Sequence, residues 1–204
     1  MKDLSIQEFC NITASNEPVP GGGSVAALCG SLAGALTEMV TNLTIGRKKY
    51  VEIDHEMREI CEKTNELRLG LLEDIKKDSE AYNLVMNAYK LPKETDEEKE
   101  VRKLAIQEGL VEASKAPFEV AKKTIEIERL AAVVVEKGNK NAITDGMVAV
   151  MMARTAILGA CQNVKVNLEF IDDKIFVKKY EDLVMELEKE ALTLESYVLT
   201  EFAL

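Results

Sequence analysis

The sequence has no tryptophan, only four prolines and a single histidine, His55. One imidazole excludes His-rich metal centres. It leaves any Cys–His nucleophilic pair resting on one residue, for which a solvated position at a helix start is the simpler reading. Cysteine is sparse: Cys10, Cys29, Cys61 and Cys161 stand far apart with no C-x-x-C pair, so a zinc site built on clustered thiols is excluded. Three of them sit in apolar helical settings that favour reduced, buried thiols, and Cys61, on a charged helix, is expected to be half-exposed. A cytoplasmic location is expected. Basic stretches are scarce too. The 26 Lys and Arg are outnumbered by 36 Asp and Glu, for a net charge of −10, and no basic stripe is present to hold a nucleic acid. There is no strand pattern, repeat or low-complexity segment. No G-x-G-x-x-G follows a strand, and Gly21-Gly22-Gly23-Ser24 lacks the lysine of a phosphate-binding loop. The opening MKDLSIQEFC carries an acid and no long apolar core, so it is not expected to be a signal peptide. Carboxylates, amides, Lys/Arg and backbone donors remain as the available chemistry.

What is present is helix. Ala, Leu, Glu, Lys and Met dominate 204 residues, enough for one domain over 1–204. Ser5-x-x-Glu8 and Thr95-x-x-Glu98 are capping boxes, the second opening a helix that runs to about Lys137. Apolar residues at helical spacing predict another long helix from Asp54 to Tyr89, stopped by Leu91-Pro92. Pro117 predicts a kink or break near 114–116, and Gly138 a left-handed helix end. Two stretches, Ser24 to Thr44 and Ile143 to Val166, are apolar on almost every face; Glu38 is the one charge of the first, and Arg154 the one charge of the second between Asp145 and Lys165. A helix apolar all round is buried or spans a membrane; the lone charges and the strongly charged remainder favour burial. Small residues recur along both (Ala26, Gly30, Gly34; Ala149, Ala153, Ala156, Ala160), where another helix of the subunit or of a dimer partner can approach closely. The expected fold is an all-α multihelical bundle around two buried apolar central helices.

Four constellations carry possible chemistry. Pro20-Gly21-Gly22-Gly23-Ser24 offers bare backbone and free N–H groups at a helix start, or is a tight turn needing positive φ. Asp78, with Tyr82 one turn on, is an acid at the edge of an apolar face, suited to proton transfer if desolvated; it is otherwise a solvated partner of Lys76 or Lys77. Asn139 and Asn141, with Thr144 and Asp145, either cap the second apolar helix or donate to a developing oxyanion. Asn163 and Asn167, at i and i+4, either bridge backbone groups or face a ligand. A basic turn, Gly46-Arg47-Lys48-Lys49-Tyr50, stands out in an acidic chain.

Taken in order, Pro18-Val-Pro-Gly-Gly-Gly-Ser-Val-Ala-Ala27, Leu43-Thr-Ile-Gly-Arg-Lys-Lys-Tyr50, Asp78-x-Glu80-Ala81-Tyr82, Leu91-Pro-Lys-x-Thr95-x-Glu97-Glu98, Gly138-Asn-x-Asn-Ala-x-x-Asp145 and Asn163-Val-x-Val-Asn167 resemble the cyclodeaminase/cyclohydrolase family of tetrahydrofolate enzymes. The similarity covers nearly the whole chain. It implies an all-helical homodimer acting on one-carbon tetrahydrofolate, with no metal, cofactor, nucleic acid or membrane. A cyclohydrolase interconverts 5,10-methenyl- and 10-formyl-tetrahydrofolate; a cyclodeaminase closes 5-formimino-tetrahydrofolate to the methenyl form with loss of ammonia. The 43–51 and 91–102 segments look most like stand-alone cyclohydrolases, and the transferase half of the animal bifunctional enzymes is not expected here. On this resemblance Asp78 is the base, and Asn139, Asn141 and Lys48 are donors to the tetrahedral centre. The Gly21–Gly23 backbone and Lys48 or Lys49 bind the pterin amide or the glutamate tail. The glycine turn and the asparagine turn are expected as opposite walls of one pocket, in one subunit or across two. A non-catalytic helical dimer that binds folate or a partner is the alternative.

Overall fold

A computed structural model describes residues 3–202. Six α-helices follow in order: α1 (Ile6–Thr13), α2 (Gly22–Thr44), α3 (Asp54–Tyr89), α4 (Asp96–Lys137), α5 (Ile143–Leu168) and α6 (Lys174–Glu201). Short 3-10 turns at Lys48–Ile53 and Lys140–Ala142 precede α3 and α5, and no strand occurs among the described residues. Both capping boxes form: Ser5 and Thr95 each accept from the backbone three residues on, and Glu8 and Glu98 reach back.

The main core joins α2, α3, α4 and α5, with α6 laid against α4 and α5 through Val184 and Ala191. The small-residue rows are used inside the subunit. A Cβ at Gly30 would meet Thr124 and Leu71, and one at Gly34 would meet Arg68 and Ile127, while Ala149, Ala153, Ala156 and Ala160 are fully buried. Each apolar helix sends the charge in its middle to a neighbour. Glu38 accepts from Arg68 Nε at 2.5 Å and from Asn65 at 3.2 Å, and Arg154 Nε donates to Glu195 at 2.9 Å.

Three expectations are corrected. Helix α4 runs unbroken through Pro117; the carbonyl this proline strands finds another donor, described below. Gly138 has extended backbone (φ −71°, ψ −169°), and glycine suits the position because a Cβ would collide with the Val134 carbonyl. The two apolar helices are not wholly buried: 56% of the apolar window in α2 and 44% of that in α5 are covered, and both are long and apolar enough to cross a membrane. Their outward faces carry Leu32, Met39, Val148 and Met151, all exposed. Among the cysteines, Cys161 is buried and Cys29 and Cys61 half-buried, but Cys10 is exposed, because α1 has a single buried residue, Phe9. His55 lies on the surface beside Glu59.

One acid is anomalous. Glu128 of α4 is fully buried and neither carboxylate oxygen has a hydrogen-bond partner. Burial first, then Glu195 and Glu190 of α6, push its pKa up to about 9 against the pull of Arg154.

Candidate active site

Helix α2 starts where α3 passes beneath it. Gly21, its N-cap, supplies no side-chain cap, and Gly21, like the rest of the triple-glycine turn, has no positive φ. The glycines are needed for close approach instead. A Cβ on Gly23 would collide with the Asp78 carboxylate, and one on Gly22 would press on Asn163 Nδ2 at 3.3 Å. Asp78 fills the missing cap from 54 residues away: Ser24 Oγ donates to Asp78 Oδ2 at 2.7 Å, and the Ser24 N–H supports the same carboxylate. Ser24 is fully buried, so its hydroxyl serves Asp78 rather than a ligand directly.

Desolvation raises the Asp78 pKa, and the two Ser24 hydrogen bonds lower it without cancelling the effect. Asp78 forms no ion pair with Lys76 or Lys77, which go to Glu80 and Asp74. The acid opens onto a cavity of about 390 Å³, within the range of small-molecule sites. Gly21, Gly22, Gly23 and Asp78 form one wall, Tyr82, Val85 and Tyr89 of α3 a second, and Leu110, Ala113 and Pro117 of α4 a third. Asn163 and Asn167 at the end of α5, with Phe170, complete it. Among the described residues, no Lys or Arg lines this cavity.

Of the residues singled out from sequence, the fold thus gathers Gly21, Gly22, Gly23, Ser24, Asp78, Tyr82, Asn163 and Asn167. Pro20 is buried behind the turn, following a cis Val19–Pro20 bond. Lys48, Lys49, Asn139, Asn141 and Asp145 are not among the cavity residues. They lie at the other end of α2, whose 23 residues rise about 34 Å. Asn139 is engaged there: Nδ2 donates to Leu43 O at 2.8 Å, its N–H to Thr44 Oγ1 at 2.9 Å, and its Oδ1 accepts from the Asn141 N–H at 3.0 Å. That is a cap for the C-terminus of α2. Within one subunit, therefore, the two turns do not wall one pocket. Sequence reasoning also missed the contribution of α4. Pro117 in mid-helix is the available signal, but its local pattern points to a kink or break rather than to a site residue.

Comparison with known proteins agrees with this architecture. The chain is 44% identical over 184 residues to the methenyltetrahydrofolate cyclohydrolase of Methylorubrum extorquens, covering 90% of this chain and 87% of that one. It is 32% identical over 197 residues to the formimidoyltransferase-cyclodeaminase of Rattus norvegicus, covering 97% of this chain but 36% of the relative. The crystal structure of formiminotetrahydrofolate cyclodeaminase from Thermotoga maritima superposes with a TM-score of 0.88 at 33% identity, covering 98% of this chain and 96% of that one. The formiminotransferase-cyclodeaminase family model matches residues 5–186, and the chain belongs to that family.

Proposed function

We propose that this chain, a single helical domain over 1–204, is a methenyltetrahydrofolate cyclohydrolase, and that Asp78 is its acid/base group. The observation that carries the reading is a desolvated carboxyl, held by Ser24 at a glycine turn and open to a ligand-sized cavity. The 44% identity to a named cyclohydrolase over most of both chains supports it. The bridging carbon of methenyltetrahydrofolate lies in a cationic amidinium, so the substrate brings its own electrophile and the proposed route calls for no cofactor. Water adds to that carbon and Asp78 takes its proton, giving a neutral carbinolamine. Asp78 then returns the proton to the pterin-side nitrogen N5 as the C–N5 bond breaks. Loss of the hydroxyl proton to solvent leaves 10-formyltetrahydrofolate. A carboxyl raised by desolvation is better matched to this two-way transfer near neutral pH than an ordinary one.

The homodimer belongs to the same proposal. Leu32, Met39, Val148 and Met151 form an exposed apolar face on the two helices that otherwise build the core. We assign this face to a second copy rather than to lipid, because the rest of the surface is strongly charged and Glu38 and Arg154 flank it in ion pairs. A two-fold that sets α2 antiparallel to its copy would carry the Lys48 turn, with Lys49, Asn141 and Asp145, towards the cavity of the other subunit. The cavity has no cation of its own among the described residues, and a folate tail is anionic. The location proposed is cytoplasmic, where four free thiols stay reduced.

The likeness to the Thermotoga cyclodeaminase supports a second reading, ring closure with loss of ammonia, which passes through a similar tetrahedral centre. One assay separates them. Purified protein is given 5,10-methenyl-tetrahydrofolate or 5-formimino-tetrahydrofolate and methenyl absorbance is followed. Loss with the first substrate is expected. Gain with the second alone would make the chain a cyclodeaminase, and turnover of neither would leave a binding or scaffold dimer.

A further inference from the structure

We infer that Asn167 reads the 2-amino group of the pterin ring, and that Pro117 fixes Asn167 in that role; this deepens the folate reading above and rests on it. Pro117 has no N–H, so the helical bond it would give to the Ala113 carbonyl is missing. The Ala113 oxygen instead accepts from Asn167 Nδ2, on α5, at 2.9 Å. The other N–H of that amide goes to the Asn163 carbonyl at 2.8 Å. Both partners are carbonyl oxygens, which only the amide nitrogen can satisfy, so the orientation of the amide is fixed by its bonds. Both protons are committed, and Oδ1 is what Asn167 has left to offer a ligand in the cavity it lines. Asn163 differs: its Nδ2 donates once, to Gly159 O at 2.9 Å, and keeps a second N–H. Asn167 is an acceptor only.

Position supplies the rest. Asn163 abuts Gly22, beside the Gly23–Asp78 contact. Asn167 is one turn farther along α5, about 6 Å by helical rise. That offset is comparable to the breadth of a fused two-ring system. A pterin with its reacting carbon at Asp78 directs its opposite end towards Asn167, and that end carries the 2-amino donor. A ring with an acceptor or a methyl group there leaves Oδ1 without a partner.

The test uses two non-reactive probes, 6-methyl-tetrahydropterin and its counterpart with 2-methyl in place of 2-amino, titrated by calorimetry under anaerobic conditions. Wild type is expected to bind the 2-amino probe at least about tenfold more tightly, the size of one well-made hydrogen bond. Asn167→Leu should abolish the preference and also lower the melting temperature, because the Ala113 carbonyl loses its donor. The double variant Pro117→Ala/Asn167→Leu restores a backbone N–H to that carbonyl. It should regain the melting temperature without regaining the preference. A double variant that still prefers the 2-amino probe overturns the inference, and one that fails to regain its melting temperature overturns the role of Pro117. Equal binding of both probes by wild type overturns the inference alone and leaves the folate reading standing. Binding of neither overturns both.

Discussion

The two ends of α2 are closed in the same way and serve different ends. Each is completed by a side chain distant in sequence: Asp78 at the start, where Gly21 has no side chain to give, and Asn139 at the finish, beside the local bond from Ile45 N–H to Thr41 O. Asn139 is neutral, and its amide is engaged by the groups it caps, so the arrangement is structural. Asp78 is ionisable, desolvated and exposed on one side to a cavity. The same capping geometry therefore becomes a candidate reaction centre when the capping group titrates and a ligand-sized space adjoins it. A polar turn next to an apolar helix is ambiguous until those two properties are known.

The contrast breaks most sharply at Asp78. Asp78→Asn keeps an oxygen for Ser24 and should hold the melting temperature within a few degrees. Turnover of methenyltetrahydrofolate should fall by about 10²- to 10³-fold, the usual contribution of a positioned acid/base. In wild type, kcat/KM for hydrolysis should rise with pH through an apparent pKa above the ordinary carboxylate range, because Asp78 acts in its ionised form. Gly23→Ala comes next. The added methyl group displaces the carboxylate without removing it, and a loss on the order of tenfold in kcat is expected, read by the same assay.

Glu128 sharpens the comparison from a third position, as a fully buried acid with no hydrogen-bond partner on either oxygen. Its folded pKa of about 9 lies above the ordinary 4.5, so the folded protein binds the extra proton between those values. Stability is then lost progressively as pH rises through that window. Thermal melts should fall from pH 6 to pH 9 in wild type and fall less in Glu128→Gln. The smallest effect belongs to Asn139→Ala. Loss of the hydrogen bonds to Leu43 and Asn141 should cost about 1 kcal/mol, seen as a drop of a few degrees in melting temperature.

The helices were legible because their determinants are local. Capping boxes at Ser5 and Thr95 and the spacing of apolar residues between Asp54 and Tyr89 act within a few positions of one another. Asp78 was legible for a related reason, an acid set at the edge of an apolar stripe. The failures mostly involve partners from another segment, Gly138 being the exception, crowded by the Val134 carbonyl of its own helix. Pro117 does not break α4, and the carbonyl it strands, that of Ala113, is met by Asn167, 54 residues on from Ala113. Gly23 and Gly138 are glycines because of what touches them, not because of φ. The small-residue rows read equally well as internal or intersubunit seams, and only the packing of α3 and α4 against Gly30 and Gly34 decides. Nothing local distinguishes Asn139 as a cap from Asn139 as a donor to substrate.

Helix lengths carry one more consequence. At 1.5 Å per residue, α3 and α4 rise about 54 and 63 Å, whereas α2 rises only about 34 Å. Since α2 begins opposite Asp78, the last turns of α3 and the first turns of α4 extend past it as a two-helix arm. Leu84, Leu91, Val101 and Leu104 on that arm are exposed. Tyr82, Val85 and Tyr89, one wall of the cavity, lie on it as well. Backbone amides of this arm should exchange with deuterium well before those of the four-helix core. The site is thus built partly on the four-helix core and partly on this arm, and a ligand that touches both should slow exchange at residues 82–89 most of all.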